Sequence, residues 1–204
     1  MYFCIRTFYN KENKMNKRLI PIVFSFLVCG TVWASNKLCP EKSAVIADSI
    51  VADSMGYIVK VGDIVPDFTA TLTDGKQIKL SSLRGKVIML QFTASWCGVC
   101  RQEMPFIERD IWLKHKDNKE FALIGIDRDE PLDKVIAFGK KTGITYPLAL
   151  DPGARIFSLY ALKESGITRN VLIDRDGRIV MLTRLYNEEE FTRLVQKINE
   201  LLLR

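Results

Sequence analysis

The sequence predicts an α/β fold, a sandwich of helices around a mixed β-sheet, and three observations predict it. Strand-like and helix-like patterns alternate from Tyr57 to the C-terminus. Two Asp-Gly pairs, at 74–75 and 176–177, mark tight turns between strand-like stretches. The chain closes with an amphipathic helix, and its 204 residues are enough for one well-packed domain plus an N-terminal appendage.

The appendage, residues 1–34, is predicted to be an export signal. A basic start at Lys17 and Arg18 precedes an apolar stretch from Leu19 to Trp33, and Ala34 suits the end of a signal. The stretch is short for a membrane-spanning helix, which needs about 20 residues. We therefore expect an exported protein of the periplasm or cell envelope that is soluble after signal cleavage.

The N-terminal region also indicates the start of the signal and the start of the folded domain. Met15 heads the signal pattern, which indicates either a misassigned upstream start or a long basic region. Residues 35–56 form a flexible polar tail, and 57–204 form the folded domain. A lipid anchor requires small residues before the modified cysteine, and neither Cys29 nor Cys39 has them, which favours soluble export.

The charge balance excludes nucleic acid as a partner. The whole chain carries a net charge of +6, but the predicted signal holds five of its 30 basic residues and one of its 24 acidic residues. The remainder, 25 basic against 23 acidic residues, has a net charge of +2. No basic patch that would bind a phosphate backbone is left.

The cysteines exclude a multi-disulfide scaffold and disfavour a metal site. Two of the five lie in the predicted signal and Cys39 lies in the tail, which leaves Cys97 and Cys100 in the domain. A zinc site requires a second pair of cysteine or histidine ligands, and the single histidine, His115, is expected to be an exposed helix residue. We predict neither metal nor cofactor.

The first half of the domain is predicted to contain a hairpin, a buried strand and a helix. Alternating residues flank the turn at 74–75, and the nearly continuous apolar run 86–94 has the length of a strand buried on both faces. The next helix carries apolar residues along one face. They are Cys100, Met104, Ile107 and Ile111.

The second half alternates strands and helices. Residues 121–127 form a buried strand, and a helix begins at Pro131 and ends at Gly143. The acidic run Asp127–Glu130 before it is interpreted as a loop and helix start, because carboxylates suit the positive end of a helix, and not as a metal site. A short strand follows at 146–151.

The remaining elements are one or two helical turns, a hairpin and a capped helix. The hairpin turns at residues 176–177. Asn187 is the predicted cap of the last helix, with Glu190 three residues on, and the helix carries an apolar stripe that begins at Phe191.

The two cysteines of the domain stand three positions apart, between the first buried strand and the helix after it. Unpaired N–H groups and the positive end of the helix dipole stabilise a thiolate at Cys97, so we expect its pKa to fall below the usual value of about 8.5. Cys100, one turn on, faces inward and is placed to attack a mixed disulfide at Cys97. This arrangement predicts thiol–disulfide exchange, and the alternative is an inert structural disulfide.

Residues 62–107, GDIVPDFTATLTDGKQIKLSSLRGKVIMLQFTASWCGVCRQEMPFI, resemble exported thiol–disulfide oxidoreductases of the TlpA/ResA type. The likeness runs from about Val61 to the C-terminus and includes the pattern W-C-x-x-C-x-x-E-x-P, the segment 131–151 and the stretch VLIDRDGRIV. It implies a thioredoxin-like three-layer α/β/α sandwich with an N-terminal β-hairpin and a central helix–strand insertion. It also implies disulfide reduction, in cytochrome c maturation or in the envelope generally.

The same resemblance implies roles for five residues. Cys97 is the nucleophile and Cys100 the resolving thiol. Glu103 matches a partly buried acid that tunes the thiols and relays protons, although it would also suit a solvated helix position. Pro105 matches a proline that kinks the helix, and Trp96 matches the residue beside the nucleophile, where it contacts substrate or packs in the core. The implied partners are oxidised client proteins and a membrane thiol donor of the CcdA/DsbD type, and the implied state is a monomer.

One position departs from the family pattern. Thioredoxin-fold oxidoreductases place a cis-proline beside the disulfide, and here Thr168 stands at that position in SGITRNVLID. Because a cis bond before a non-proline residue costs about 2.5–4 kcal/mol, we expect the Ile167–Thr168 bond to be trans. Thr168 and Arg169 are then predicted to border the substrate site.

Two other classes of function stay open. A peroxiredoxin-like thiol peroxidase shares the GDIVPDFTATLTDG opening, but it requires a P-x-x-x-T-x-x-C loop that the sequence lacks before Cys100. A non-catalytic thioredoxin-fold binding module gains support from the missing proline. Arg101 is interpreted as a solvated charge.

Overall fold

The computed structural model describes residues 53–204. The predicted signal at 1–34, the start at Met15, Cys39 and all but the last four residues of the tail lie outside the described residues. Within 53–204, no helix combines the length and the apolar character that crossing a bilayer requires.

A seven-stranded mixed sheet forms the centre of the domain. The strands are β1 Thr69–Leu72, β2 Gln77–Lys79, β3 Val87–Thr93, β4 Phe121–Arg128, β5 Leu148–Asp151, β6 Arg169–Ile173 and β7 Ile179–Arg184. Their order across the sheet is β2-β1-β5-β4-β3-β6-β7. β3, β4 and β5 are parallel to one another, and the hairpin strands at the two edges are antiparallel to their neighbours.

The helices are α1 Gly98–Ile107, which continues through a π-helical turn Glu108–Trp112 into α2 Leu113–His115, then α3 Leu132–Thr142 and α4 Glu188–Leu202. Short 3-10 turns lie at Leu80–Leu83, Pro152–Ala154 and Phe157–Leu159. Every strand and helix predicted from the sequence is present, and the hairpins, the buried strands and the capped last helix are confirmed.

Two apolar clusters cover the two faces of the sheet. β3 is buried along its whole length, because its alternate residues point into different clusters. Val87 and Met89 pack with the apolar faces of α1, α3 and α4. Leu90 and Phe92 pack on the other face with Phe157 and with the segment that precedes β1. The predicted three layers are therefore confirmed, with the difference that 3-10 turns and extended chain form the second outer layer.

Local sequence explains where the helices begin and end. Asn187 caps α4 by accepting a hydrogen bond from the N–H of Glu190 at 3.0 Å. Gly143 ends α3 with a φ of 71°, a left-handed conformation that glycine adopts without a Cβ penalty. α3 and β5 form the predicted central insertion between β4 and β6.

The topology brings three segments to one edge of the sheet. α1 begins just beyond the carboxyl end of β3, and the parallel β4 ends beside it, with Thr93 opposite Asp127. β6 is antiparallel to β3 and begins at this same edge, where Arg169 pairs with Phe92. The residue before Arg169, Thr168, therefore adjoins the start of α1. The bond between Ile167 and Thr168 is trans, as expected.

Candidate active site

Cys97 and Cys100 share the first turn of α1 but differ in accessibility. Cys97 is the N-cap residue, and its Sγ accepts a hydrogen bond from the backbone N–H of Cys100 at 3.2 Å. Cys97 keeps 9% of its surface exposed, whereas Cys100 keeps none. Both are free thiols. Cys97 is therefore the more accessible of the two cysteines, although both are largely buried, and Cys100 is enclosed by the fold.

The two thiols have opposite pKa shifts. Hydrogen bonds from the thiol of Cys100, the hydroxyl of Thr168 and backbone N–H groups lower the pKa of Cys97 to about 6, against the opposing effect of burial. The interaction with Cys97 and burial raise the pKa of Cys100. At neutral pH the pair therefore holds one proton, on Cys100, and one negative charge, on Cys97.

Thr168 lies against both sulfurs. Its Oγ1 is 3.1 Å from Sγ of Cys97 and 3.2 Å from Sγ of Cys100, and the residue is 1% exposed. Its backbone carbonyl accepts a hydrogen bond from the N–H of Leu185 at 3.1 Å. The sequence predicted a substrate contact at this position, and the structure brings its hydroxyl to the reacting atoms themselves.

Glu103 is buried one turn after Cys100, with 2% of its surface exposed, which excludes a solvated helix position. Its Oε1 accepts a hydrogen bond from Nδ2 of Asn170 at 2.7 Å, and its Oε2 accepts a longer one from Nε2 of Gln91 at 3.4 Å. Burial raises the pKa of Glu103 to about 7, although these two bonds oppose the rise. A carboxyl with this pKa both takes up and releases protons near neutral pH.

Sequence reasoning missed the polar residues that surround Glu103. Gln91 also accepts a hydrogen bond from the hydroxyl of Tyr146 at 2.6 Å, and Nδ2 of Asn170 also donates to Oγ1 of Thr183 at 2.9 Å. The signal was present, since Gln91 and Asn170 interrupt or precede apolar strand runs. A polar residue inside a fully buried strand requires a hydrogen-bonding partner.

Trp96 and Pro105 border the site without touching the polar network. Trp96 is 58% exposed, so it does not pack in the core. Pro105 lies inside α1, where it offers no N–H to the preceding turn, and the π-helical turn begins at Glu108. Their roles as a substrate contact and a helix-kinking residue stay predictions. The exposed Arg101 donates to the backbone carbonyl of Ser95 at 3.1 Å.

Arg169 does not reach the site with its side chain. The guanidinium donates to the backbone carbonyls of Met55, at 2.6 Å, and Gly166, at 3.1 Å, and it stacks over the ring of Tyr57. The residue has no exposed surface. In this conformation its side chain supports the loop around Thr168 from below and has no surface to offer a substrate.

The acidic run after β4 is arranged differently from its interpretation as a loop. Asp127 and Arg128 belong to β4, and only Asp129 and Glu130 precede α3. Glu130 accepts hydrogen bonds from the N–H and hydroxyl of Ser95, at 2.5 and 2.7 Å, and forms an ion pair with Lys134 at 2.6 Å. Within 53–204, no group of three or more potential ligands forms a metal site.

Asp127 is fully buried, and neither of its carboxylate oxygens receives a hydrogen bond from a donor among the described residues. Burial, the nearby charge of Glu130 and a hydrogen bond that the protonated carboxyl donates to Glu130 raise the pKa of Asp127 to about 8. A second buried acid therefore lies at the edge of the sheet that carries the cysteines.

Known proteins are similar to this chain in sequence and in fold. A family model described as Redoxin matches residues 60–200. The thiol-disulfide oxidoreductase ResA of Bacillus thuringiensis (strain Al Hakam) is 34% identical over 122 residues, which are 60% of this chain and 68% of ResA.

Two solved structures extend the likeness. A Bacteroides thetaiotaomicron protein, provisionally described as a protein disulfide isomerase, is 76% identical, with a TM-score of 0.73 over 74% of this chain and 96% of that one. A Chlorobium tepidum protein, provisionally described as the thiol:disulfide interchange protein DsbE, is 29% identical, with a TM-score of 0.63 over 71% of this chain and 99% of that one. The predicted thioredoxin-like fold class is thereby confirmed.

Proposed function

This chain belongs to the Redoxin family, and we propose that within it the chain reduces disulfides of client proteins in the cell envelope. It is a thiol–disulfide oxidoreductase of the ResA type. The observation that carries the proposal is the first turn of α1, where Cys97 has a pKa of about 6 and Cys100 is completely buried. An accessible thiolate beside a buried thiol is the arrangement that attack followed by resolution requires.

The reaction proceeds in two exchanges. The thiolate of Cys97 attacks one sulfur of the client disulfide, a mixed disulfide forms, and the other client sulfur leaves as a thiolate. Cys100 then loses its proton, and its thiolate attacks the sulfur of Cys97. The bond between Cys97 and Cys100 forms, and the client leaves reduced by two electrons. A membrane thiol donor of the CcdA/DsbD type would restore the dithiol.

Glu103 is proposed to take the proton of Cys100 before the second exchange. Its pKa of about 7 leaves a large fraction of the carboxyl ionised at neutral pH. The amide donors of Gln91 and Asn170 hold the carboxylate in place, one helical turn after Cys100. Trp96, exposed beside Cys97, is proposed to contact the client.

Export and monomeric state remain part of the proposal. The signal pattern at 1–34 supports export to the periplasm or envelope. N-terminal sequencing of the exported protein tests it, because cleavage after Ala34 is expected and an intact N-terminus would contradict it.

The decisive experiment is equilibration of the Cys97–Cys100 pair with glutathione or dithiothreitol buffers. We expect a reduction potential near that of thioredoxin, about −270 mV, as a reductant requires. A value near −120 mV would mean that the protein introduces disulfides. A Cys97→Ser variant is expected to lose all turnover with a protein disulfide substrate, which ties the activity to the attacking thiol.

Two further outcomes would favour the alternative functions. Peroxide consumption by a Cys100→Ser variant would indicate a thiol peroxidase. A disulfide that neither glutathione nor dithiothreitol reduces would indicate a binding module.

A further inference from the structure

A single hydroxyl serves two sulfurs at the centre of the site. Oγ1 of Thr168 lies 3.1 Å from Sγ of Cys97 and 3.2 Å from Sγ of Cys100. A threonine hydroxyl has one proton to donate and two lone pairs to accept. It can therefore donate to only one of the two sulfurs at a time, and it can accept from the other.

The surroundings hold this hydroxyl in place. The carbonyl of Thr168 accepts hydrogen bonds from the N–H of Leu185, at 3.1 Å, and from Nη1 of Arg184, at 3.4 Å. The guanidinium of Arg169, bound to Gly166, packs beneath the same loop. A β-branched side chain also has few χ1 rotamers. The oxygen is therefore positioned, and only its O–H bond is free to rotate.

We propose that Thr168 is a further catalytic residue for both exchanges, donating its O–H first to the thiolate of Cys97 and then to the thiolate of Cys100. This inference rests on the proposed disulfide exchange and adds a device to it. In the resting dithiol, Thr168 and the thiol of Cys100 both donate to the thiolate of Cys97. Oγ1 of Thr168 also lies 3.2 Å from Sγ of Cys100, close enough to donate to that sulfur once it has lost its proton.

The direction of the hydroxyl reverses when Cys97 becomes part of a mixed disulfide. Its sulfur then carries no charge, so it is a weak acceptor. Once the proton of Cys100 has moved to Glu103, the O–H of Thr168 turns to the new thiolate. Cys100 attacks Cys97, the client thiolate leaves, and the proton of Thr168 is never transferred. Electrons and atoms thus balance as in the exchange without Thr168.

A proline at this position, as in the family pattern, has no hydroxyl and makes neither bond. Where the family pattern has a proline, this chain therefore has a side chain that can donate a hydrogen bond to the sulfurs. We infer that thiolate stabilisation in this chain is shared between the helix start and the loop before β6.

The test compares Thr168→Val, which keeps the shape and removes the hydroxyl, with Thr168→Ser, which keeps the hydroxyl. Thr192→Val, on an exposed turn of α4, is the matched control. Thiolate absorbance near 240 nm as a function of pH gives the pKa of Cys97. Quenched reactions with a protein disulfide give the lifetime of the mixed disulfide.

For Thr168→Val we expect the pKa of Cys97 to rise by about one unit, because one hydrogen bond to a charged group is lost. We expect the mixed disulfide to last about ten times longer. Thr168→Ser should restore both values, and Thr192→Val should change neither. The other charged or titratable groups near the pair, Glu103, Arg101, Arg184 and Glu130, are the same in all variants.

Unchanged values in a folded Thr168→Val protein would overturn the inference. So would a Thr168→Ser protein that behaves like Thr168→Val, since packing of the methyl group would then be the cause. Should Thr168→Val fail to fold, Thr168→Ser against Thr168→Ala supplies the same comparison. If the wild type does not reduce disulfides at all, the proposed function fails, and the pKa measurement still decides whether the hydroxyl stabilises Cys97.

Discussion

Two buried acids lie at the same edge of the sheet and differ in what surrounds them. Glu103, on α1, is held by two amide donors and has a pKa of about 7. Asp127, near the end of β4, receives no hydrogen bond from a donor among the described residues, faces the charge of Glu130 and has a pKa of about 8. The ordinary value of an aspartate is lower than that of a glutamate, so the shift of Asp127 is much the larger. Neighbours therefore decide how far burial raises the pKa of a carboxyl: two amide donors limit the rise at Glu103, and the carboxylate of Glu130 adds to it at Asp127.

The largest expected effect concerns Asp127 and the pH dependence of the free energy of unfolding. Between about pH 4 and pH 8 the folded protein keeps a proton on Asp127 that the unfolded chain has lost, so this residue makes stability fall as pH rises. An Asp127→Asn variant has no titrating group at this position, so it should not show this fall in stability. We expect its free energy of unfolding, relative to wild type, to rise by about 3 kcal/mol from pH 5 to pH 8. Urea unfolding at both pH values measures it.

The same measurement on Glu103→Gln sharpens the comparison. The free energy of unfolding of Glu103→Gln, relative to wild type, should rise less from pH 5 to pH 8, because the raised pKa of Glu103 lies closer to its ordinary value. An equal or larger gain for Glu103→Gln would show that the hydrogen bonds from Gln91 and Asn170 do not distinguish the two acids.

The next effect concerns turnover. Glu103→Gln keeps the size of the side chain but cannot take the proton of Cys100, so resolution of the mixed disulfide should slow on the order of 100-fold at pH 7. Asp127→Asn should leave that rate within a factor of two or so, since Asp127 has no part in the exchange. Stopped-flow kinetics with a protein disulfide measures both, and Glu200→Gln, exposed on α4, is the control. Slow resolution in the Asp127→Asn protein, with a normal rate in Glu103→Gln, would mean that Asp127 and not Glu103 takes the proton of Cys100.

The smallest effect isolates one hydrogen bond. Asn170→Ala removes the 2.7 Å bond to Glu103 and should raise the pKa of that carboxyl by about one unit, toward the value of Asp127. The pH dependence of the resolving rate should shift by the same amount. Thr183→Val removes the other acceptor of the Asn170 amide and leaves its bond to Glu103 intact, so it should not shift the profile.

The fold and the place of Cys97 at the start of α1 could be predicted from the sequence, because hydrophobic periodicity and the strand-to-helix boundary are local signals. Thr168 was identified from its distance along the chain to Asp174, but the contact of its hydroxyl with both sulfurs depends on how β6 pairs with β3. The partners of Glu103 come from two strands, and no local pattern shows which side chains share a face. For the same reason, no local pattern shows that the side chain of Arg169 turns away from the cysteines toward Met55 and Gly166.

The bond between Glu130 and Ser95 has a consequence for any change to the central insertion. Glu130 immediately precedes the inserted segment, and it accepts a hydrogen bond from the backbone N–H two residues before Cys97 at 2.5 Å. A deletion or exchange of α3 and β5 that displaced Glu130 would therefore also release the backbone beside the dithiol.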